Sequence, residues 1–204
     1  MFFFVLSCLL IALFAFVDVW YFVRGIKFGV ELLSKQRKRS SKDEILSVSR
    51  ANGMVLPSDI DMWWHMNNSK YLREMDFGRI KFFSDKDVRT ILSRLKGRLA
   101  LSAISIRYRR SLLLWQRFTI ETKILCWKND GFYLEQRFVG DSDKFIYAIA
   151  LVKMVVRGEG VNMDVVMENI VGESFLSPPL PPEVKCWMNS IAESSEGLKK
   201  ERTR

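Results

Sequence analysis

The stretch Asp59-Ile60-Asp61-Met62-Trp63-Trp64-His65-Met66-Asn67-Asn68-Ser69-Lys70-Tyr71-Leu72 decides how this chain is read. It sets two acids, the single histidine, two asparagines and a serine between apolar segments, then passes into helical spacing. Asn67, Asn68 or Ser69 can each accept from the free amides of a helix's first turn, so a cap accounts for these residues. Capping does not account for Asp59, Asp61 and His65, which share their loop with Trp63 and Trp64.

Downstream, the spacing predicts a helix over residues 69–83. Tyr71, Leu72, Met75, Phe82 and Phe83 form one apolar face, and Asp76 borders it. A break at Ser84 precedes a short predicted helix over 87–95, closed by Gly97. From Arg98 the period becomes two, with a phase slip at Ala103-Ile104 that predicts a bulge. Residues 117–127 alternate cleanly, with Phe118, Ile120, Thr122, Ile124 and Cys126 inward. Lys128-Asn129-Asp130-Gly131 predicts a hairpin turn, and 132–139 its return strand. After a turn at 141–143, the nearly continuous apolar run 145–156 predicts a central strand covered on both faces. Upstream, 45–56 predicts the first strand, ending at Pro57-Ser58. The fold class is therefore α+β, one long helix wrapped by a curved antiparallel sheet. A half-barrel with the helix outside is the alternative.

Asp-x-Asp, a short loop, His-x-Asn-Asn and then Tyr-Leu-Arg resemble the hotdog-fold acyl-CoA thioesterases. Val55-Leu56-Pro57-Ser58 and Glu74-Met75-Asp76 also fit, within that superfamily, the animal subfamily of thioesterase superfamily member six-like proteins. The resemblance covers roughly residues 45–156 and implies a hotdog fold, a homodimer, and a fatty acyl-CoA or acyl-carrier thioester as substrate. It also implies Asp61 as the catalytic carboxylate, acting as nucleophile or general base, with His65 beside it and Asn67 holding the loop. Asp76 falls where many relatives carry an acid on the central helix, and a salt bridge to Arg73 or Arg79 is its plain alternative. Trp63, Trp64, Asn68, Tyr71, Arg107 and Arg109 are the expected substrate-binding residues. Many active relatives have glycine where this chain has Trp64, so an indole stands where backbone would approach the thioester carbonyl.

Thioester hydrolysis needs an attacking water or carboxylate and donors for the developing oxyanion. A helix beginning after Asn67 would present amides and a positive dipole end for that purpose. A hydratase of the same fold would need an acid and a histidine on the helix, and this helix has no histidine. Neither a cofactor nor a metal is expected. The rival to an enzyme is a catalytically inactive hotdog protein with a lipid-binding or scaffold role.

The 204 residues allow one domain with appendages. A net charge of +9 suits an anionic lipid or a phosphorylated ligand such as CoA. Zinc spacing and RNA-binding aromatic signatures are absent from the sequence, so no nucleic-acid partner is expected. Cys8, Cys126 and Cys186 make no disulfide framework and suit a reducing compartment.

Residues 1–24 read as a hydrophobic membrane anchor, with Trp20 and Tyr21 where an interfacial belt would fall. Asp18 is the one violation, costing about 2.5–3.5 kcal/mol at a bilayer centre and less near its edge. A cleaved signal peptide, and hence secretion, is the rival. The basic residues, however, follow the apolar run (Arg24, Lys27, Lys35, Arg37, Lys38, Arg39, Lys42), which suits a cytosol-facing domain. Asn67-Asn68-Ser69 is formally a glycosylation acceptor, and a lumenal glycan there would obstruct the central loop. The endoplasmic reticulum is the expected membrane. The remaining divisions are a basic linker over 25–43, the hotdog domain over 44–157, and a tail over 158–204. That tail carries a Pro-rich connector at 177–182 and a short helix over 183–191.

Overall fold

The computed structural model describes residues 1, 3–7, 11, 14, 17–33, 41–128 and 131–202, without the side chains of 27, 28 and 31–33. In chain order its elements are helices α1 (Val19–Leu33) and α2 (Lys42–Leu46), strand β1 (Ser49–Met54) and a 3₁₀ turn, Pro57–Asp59. Helices α3 (Asn68–Asp85) and α4 (Val88–Arg94) follow, then strands β2 (Arg98–Tyr108), β3 (Arg117–Lys128), β4 (Gly131–Gly140) and β5 (Ile146–Arg157). Helices α5 (Met163–Val171) and α6 (Pro182–Arg202) complete the chain. The strands form one antiparallel sheet in the order β1-β3-β4-β5-β2.

Helix α3 lies against this sheet because its apolar positions recur at helical spacing. Tyr71, Met75 and Phe82 are each no more than 1% exposed, and burying each contributes about 1.5–3 kcal/mol. Gly78 allows the closest approach. A Cβ there would stand 2.8 Å from Ile120 Cγ2 and 2.9 Å from Gln136 Nε2. Gln136, itself buried, ties the two layers together. Its amide donates to the Met75 carbonyl at 3.1 Å and to Thr122 Oγ1 at 3.0 Å, and its oxygen accepts from Arg79 at 2.8 Å. The alternative with the long helix outside the sheet is thereby excluded, and the helix-in-sheet expectation is met.

Most predicted elements occur close to where the periodicity put them, and the departures have identifiable causes. The first strand is shorter than 45–56, because Ile45 and Leu46 belong to α2. That helix is set by a capping box in which Ser41 accepts from Glu44 N–H and the Glu44 carboxylate accepts from Ser41 N–H. The β2 register slips between Leu101 and Ala103, slightly earlier than predicted. A second slip, between Ile124 and Cys126, turns Cys126 out of the main core. It packs instead on the other sheet face with Tyr133, Val184 and Trp187 of the tail. That covering makes β4 the most enclosed strand, whereas β5, expected in that role, alternates along part of its length. The hairpin expectation holds in its flanks, where Lys128 pairs with Gly131, and residues 129–130 lie outside the described residues.

The tail holds more helix than predicted. Met163–Val171 was not anticipated; it is capped by Asn162, which accepts from Val165 N–H at 3.0 Å. The predicted short helix over 183–191 continues to Arg202. At the other end, residues 19–24, expected as the end of an anchor, and 25–33, expected as linker, form one helix that rests on α3. Residues 34–40 and much of 1–16 lie outside the described residues. Among the described residues no helix is long and apolar enough to cross a membrane.

Candidate functional site

The loop between β1 and α3 is held at both ends by backbone pairing. Val55 N–H bonds Gln116 O and Trp115 N–H bonds Val55 O, both at 3.0 Å. Isolated bridges join Ile60 to Met66 and His65 to Leu113. Asn67 then caps α3, accepting from Ser69 N–H at 2.9 Å, while its own N–H donates to the Asp59 carbonyl at 2.8 Å. Asn67 thus ties the loop to α3 by capping it.

Asp61 stands at the middle of this loop. One carboxylate oxygen, Oδ1, accepts from Trp63 N–H at 2.9 Å and His65 N–H at 3.3 Å. Among the described residues its other oxygen has no hydrogen-bond partner. The carboxylate is fixed through one oxygen and free through the second, beside a cleft of about 260 Å³ lined by Pro57, Ile60, Asp61, Met62, Trp64 and Leu114. Trp64 adopts φ +61°, the left-handed region. The backbone here keeps a conformation suited to glycine, although an indole occupies the position, at a cost of about 1–2 kcal/mol. Trp63 and Trp64 are 69% and 74% exposed, so neither indole plugs the space beside Asp61 within this chain.

His65 lies beside Asp61 through its backbone, since Asp61 N–H donates to the His65 carbonyl at 2.9 Å. Its exposed ring makes no hydrogen bond to the Asp61 carboxylate. Asn68 is exposed, and its carbonyl accepts from Tyr108 Oη at 3.0 Å. Tyr71, expected to touch substrate, is 1% exposed. Its hydroxyl accepts from Leu112 N–H at 3.0 Å, and its ring packs on Phe138 and Tyr108, so it pins the 109–116 loop to α3. Burial raises its phenol above the ordinary value.

Asp76 is separated from Asp61 and pairs with Arg79, the plain alternative foreseen for it. Burial pulls the Arg79 guanidinium below its usual value against the Asp76 charge. Both line a larger cavity, about 640 Å³, whose walls include Ile80, Phe83, Leu92, Leu99, Leu101 and Met154. Arg107 is exposed. Arg109 is already engaged, donating to the Ile146 carbonyl at 3.1 Å and lying over the Phe145 ring at 4.8 Å. Among the described residues no cluster of three His, Cys, Asp or Glu side chains is placed to hold a metal ion.

Asp59, which capping left unexplained in the sequence, is the fully buried centre of an ionic cluster. It accepts from Leu56 N–H at 2.9 Å, Arg73 at 2.5 Å and Arg24 at 3.0 Å. Glu74, 4% exposed, pairs with the same two arginines. Burial pushes the Glu74 carboxyl up, Arg24 and Arg73 oppose the rise, and Asp59 adds to it. Burial disfavours the Arg73 charge, yet Asp59 and then Glu74 hold it above its usual value. The joining of Arg24, Arg73 and Glu74 with Asp59 in one cluster is not expected from the sequence. The sequence signal was the spacing Asp18, Tyr21, Arg24, which puts polar groups on one face of the helix that ends the apolar run.

A profile of the thioesterase-like superfamily matches residues 55–188. A protein of Xenopus laevis named Protein THEM6 is 37% identical over 193 residues, covering 95% of this chain and 90% of that one. Among solved structures, the YbaW probable thioesterase of Escherichia coli superposes with TM-score 0.54 at 19% identity, over 60% of this chain and 98% of its own. The 1,4-dihydroxy-2-naphthoyl-CoA thioesterase Slr0204 of Synechocystis gives 0.53 at 13% identity, over 62% and 96%. These structures share the fold. The motif at Asp59–Leu72, the helix seated in its five-stranded sheet and the profile match agree, and the chain belongs to the thioesterase-like superfamily.

Proposed function

We propose that this protein binds and hydrolyses fatty acyl-CoA thioesters, with Asp61 as the nucleophile or the base that orients water. The observation that carries the reading is the half-engaged carboxylate of Asp61. Two backbone amides aim it, and its second oxygen is left for chemistry. In the water route, Asp61 takes a proton as the water oxygen attacks the thioester carbonyl. The positive end of α3 stabilises the oxyanion, and the C–S bond then breaks as Asp61 returns its proton to the leaving sulfur, releasing the acid and CoA thiol.

The same reading has the protein act as a homodimer paired through β2. Among the described residues β2 pairs on one side only, with β5, and its Leu101 and Tyr108 are 47% and 38% exposed. Antiparallel pairing of two β2 strands about their middles sets the Tyr108 end of one against the Arg98 end of the other. Tyr108 is bonded to Asn68 at the active loop, and Leu99 and Leu101 line the 640 Å³ cavity. Each Asp61 loop would then face its partner's cavity, whose size and apolar walls suit an acyl chain. Exposed Trp63 and Trp64 would lie between the two, and Arg107 is a candidate for the CoA phosphates.

The reading also assigns the N-terminal apolar segment to a membrane, that of the endoplasmic reticulum, with the folded domain on the cytosolic side. Exposed Phe3, Phe4, Ile11 and Phe14 support an apolar environment for it. On this reading the anchor ends near residue 17, since Asp18, Tyr21 and Arg24 pack on the folded domain.

A second reading, acyl-thioester binding without turnover, is favoured by Trp64 at the glycine-like position and by the Asn67 side chain occupying the Ser69 amide. Turnover assays of the full chain across medium and long acyl-CoAs separate the two. Hydrolysis that Asp61→Asn lowers about 10²–10⁴-fold supports the enzyme. Binding with no turnover at any chain length supports the second reading.

A further inference from the structure

We propose that Arg24 is a positioning residue for the loop 59–67, so that helix α1 is a working part of the candidate site and not a tether beside it. The proposal deepens the Asp61 reading and rests on it for its kinetic test alone.

Helix α1 grips α3 and the loop at two points. At its start, Asp18 pairs with Arg73 at 2.6 Å and Lys70 at 3.3 Å. Two turns on, Arg24 pairs with Asp59 at 3.0 Å and with Glu74, and reaches the Met54 carbonyl at the end of β1 at 3.4 Å. Between them Tyr21 packs on the buried Phe77 at 5.2 Å. Asp18 precedes α1 and accepts from Tyr21 N–H at 3.2 Å, and Tyr21 and Arg24 follow at three-residue spacing on one face, so one connected surface makes all three contacts.

Asp59 carries this grip into the site. Its side chain is held by Arg24 and Arg73, and its carbonyl receives the Asn67 N–H at 2.8 Å. The Arg24–Asp59 pair therefore fixes both ends of the loop on which Asp61 stands. Without Arg24, two buried carboxylates would share one guanidinium, and like charges that close disfavour each other's ionised forms. Relief comes by moving Asp59 toward water, and the cap of α3 moves with it. Tyr21 gives α1 a second point of contact with the site, since it also lines the large cavity with Asp76 and Arg79.

The test uses the full chain in detergent micelles, with Arg24→Gln, Arg24→Lys and Asp18→Asn. Hydrogen exchange of peptides covering 59–67 is read beside that of 117–140 in the sheet. In Arg24→Gln the loop should exchange at least about tenfold faster with the sheet unchanged, and Arg24→Lys should stay within about threefold of the parent. Where the parent turns over acyl-CoA, Arg24→Gln should lower kcat about tenfold and leave KM within about twofold. An unchanged loop, or a loop and sheet that loosen equally, overturns the proposal. Should Arg24→Gln not fold, Asp18→Asn decides it by the same comparison, because it weakens the hold of α1 on α3: faster exchange of 59–67 with the sheet unchanged supports the proposal, and an unchanged loop overturns it. A parent with no turnover refutes the Asp61 chemistry and leaves the exchange result to judge Arg24 by itself.

Discussion

The two faces of α3 are held by opposite kinds of force. Its inner face meets the sheet with Tyr71, Met75 and Phe82, and the neutral side chain of Gln136 bridges the two layers at its centre through Met75, Arg79 and Thr122. Its outer face meets α1 through Asp18, Arg24, Arg73 and Glu74, with Tyr21 on Phe77 as the apolar contact. The inner face specifies the fold, because apolar area is non-directional and tolerates nothing polar left unpaired. The outer face specifies a position, because buried ion pairs are directional and break when one partner moves. The candidate site lies at the helix end where the two systems meet.

That contrast is open to attack from its inner side first. Phe82→Ala should cost about 3–5 kcal/mol in chemical denaturation of the full chain. A cost under about 1 kcal/mol would mean that the inner face is not the main support of the helix. A smaller effect of opposite sign is expected in the loop. Trp64→Gly should raise stability by about 0.5–1 kcal/mol, since the φ of +61° suits glycine and the exposed indole gives up little burial. A loss of stability in thermal unfolding would show that the indole is packed, as between two copies.

The smallest effect belongs to pH. Glu74 is raised above its ordinary 4.5 in the folded chain, so it binds its proton more tightly there than when unfolded. Its contribution favours folding below that ordinary value and is withdrawn as pH climbs through the raised one. Parent chain should therefore gain stability relative to Glu74→Gln as pH falls through the raised value toward 4.5. Parallel stability curves for the two would remove Glu74 from the outer-face account.

The inner face was legible in the sequence because burial leaves a period, 3.6 in α3 and two in β3, and because Asn-Asp-Gly marks a turn. The losses there are local. Ile45 and Leu46 are apolar in either a strand or a helix, and only Ser41 with Glu44 distinguishes them. Cys126 changed faces through a slip that alternation does not announce. The outer face was nearly illegible. Ion pairs leave no period, and Arg24 is 35 residues from Asp59 and 50 from Glu74. In the candidate site, the pattern around Asp61 and Asn67 made the loop and its helix cap legible, because a polar cluster between apolar segments records a cap. Tyr71 was misassigned because a tyrosine on a capped helix reads alike whether its hydroxyl meets a ligand or, as here, the Leu112 amide.

The fastening of Asp18 brings the folded body up to the edge of segment 1–17. On the proposed membrane reading, the body would ride against the headgroups at a set tilt instead of swinging on a flexible stalk. Molecules arriving sideways out of the lipid leaflet would then reach it more readily than those diffusing in from bulk water.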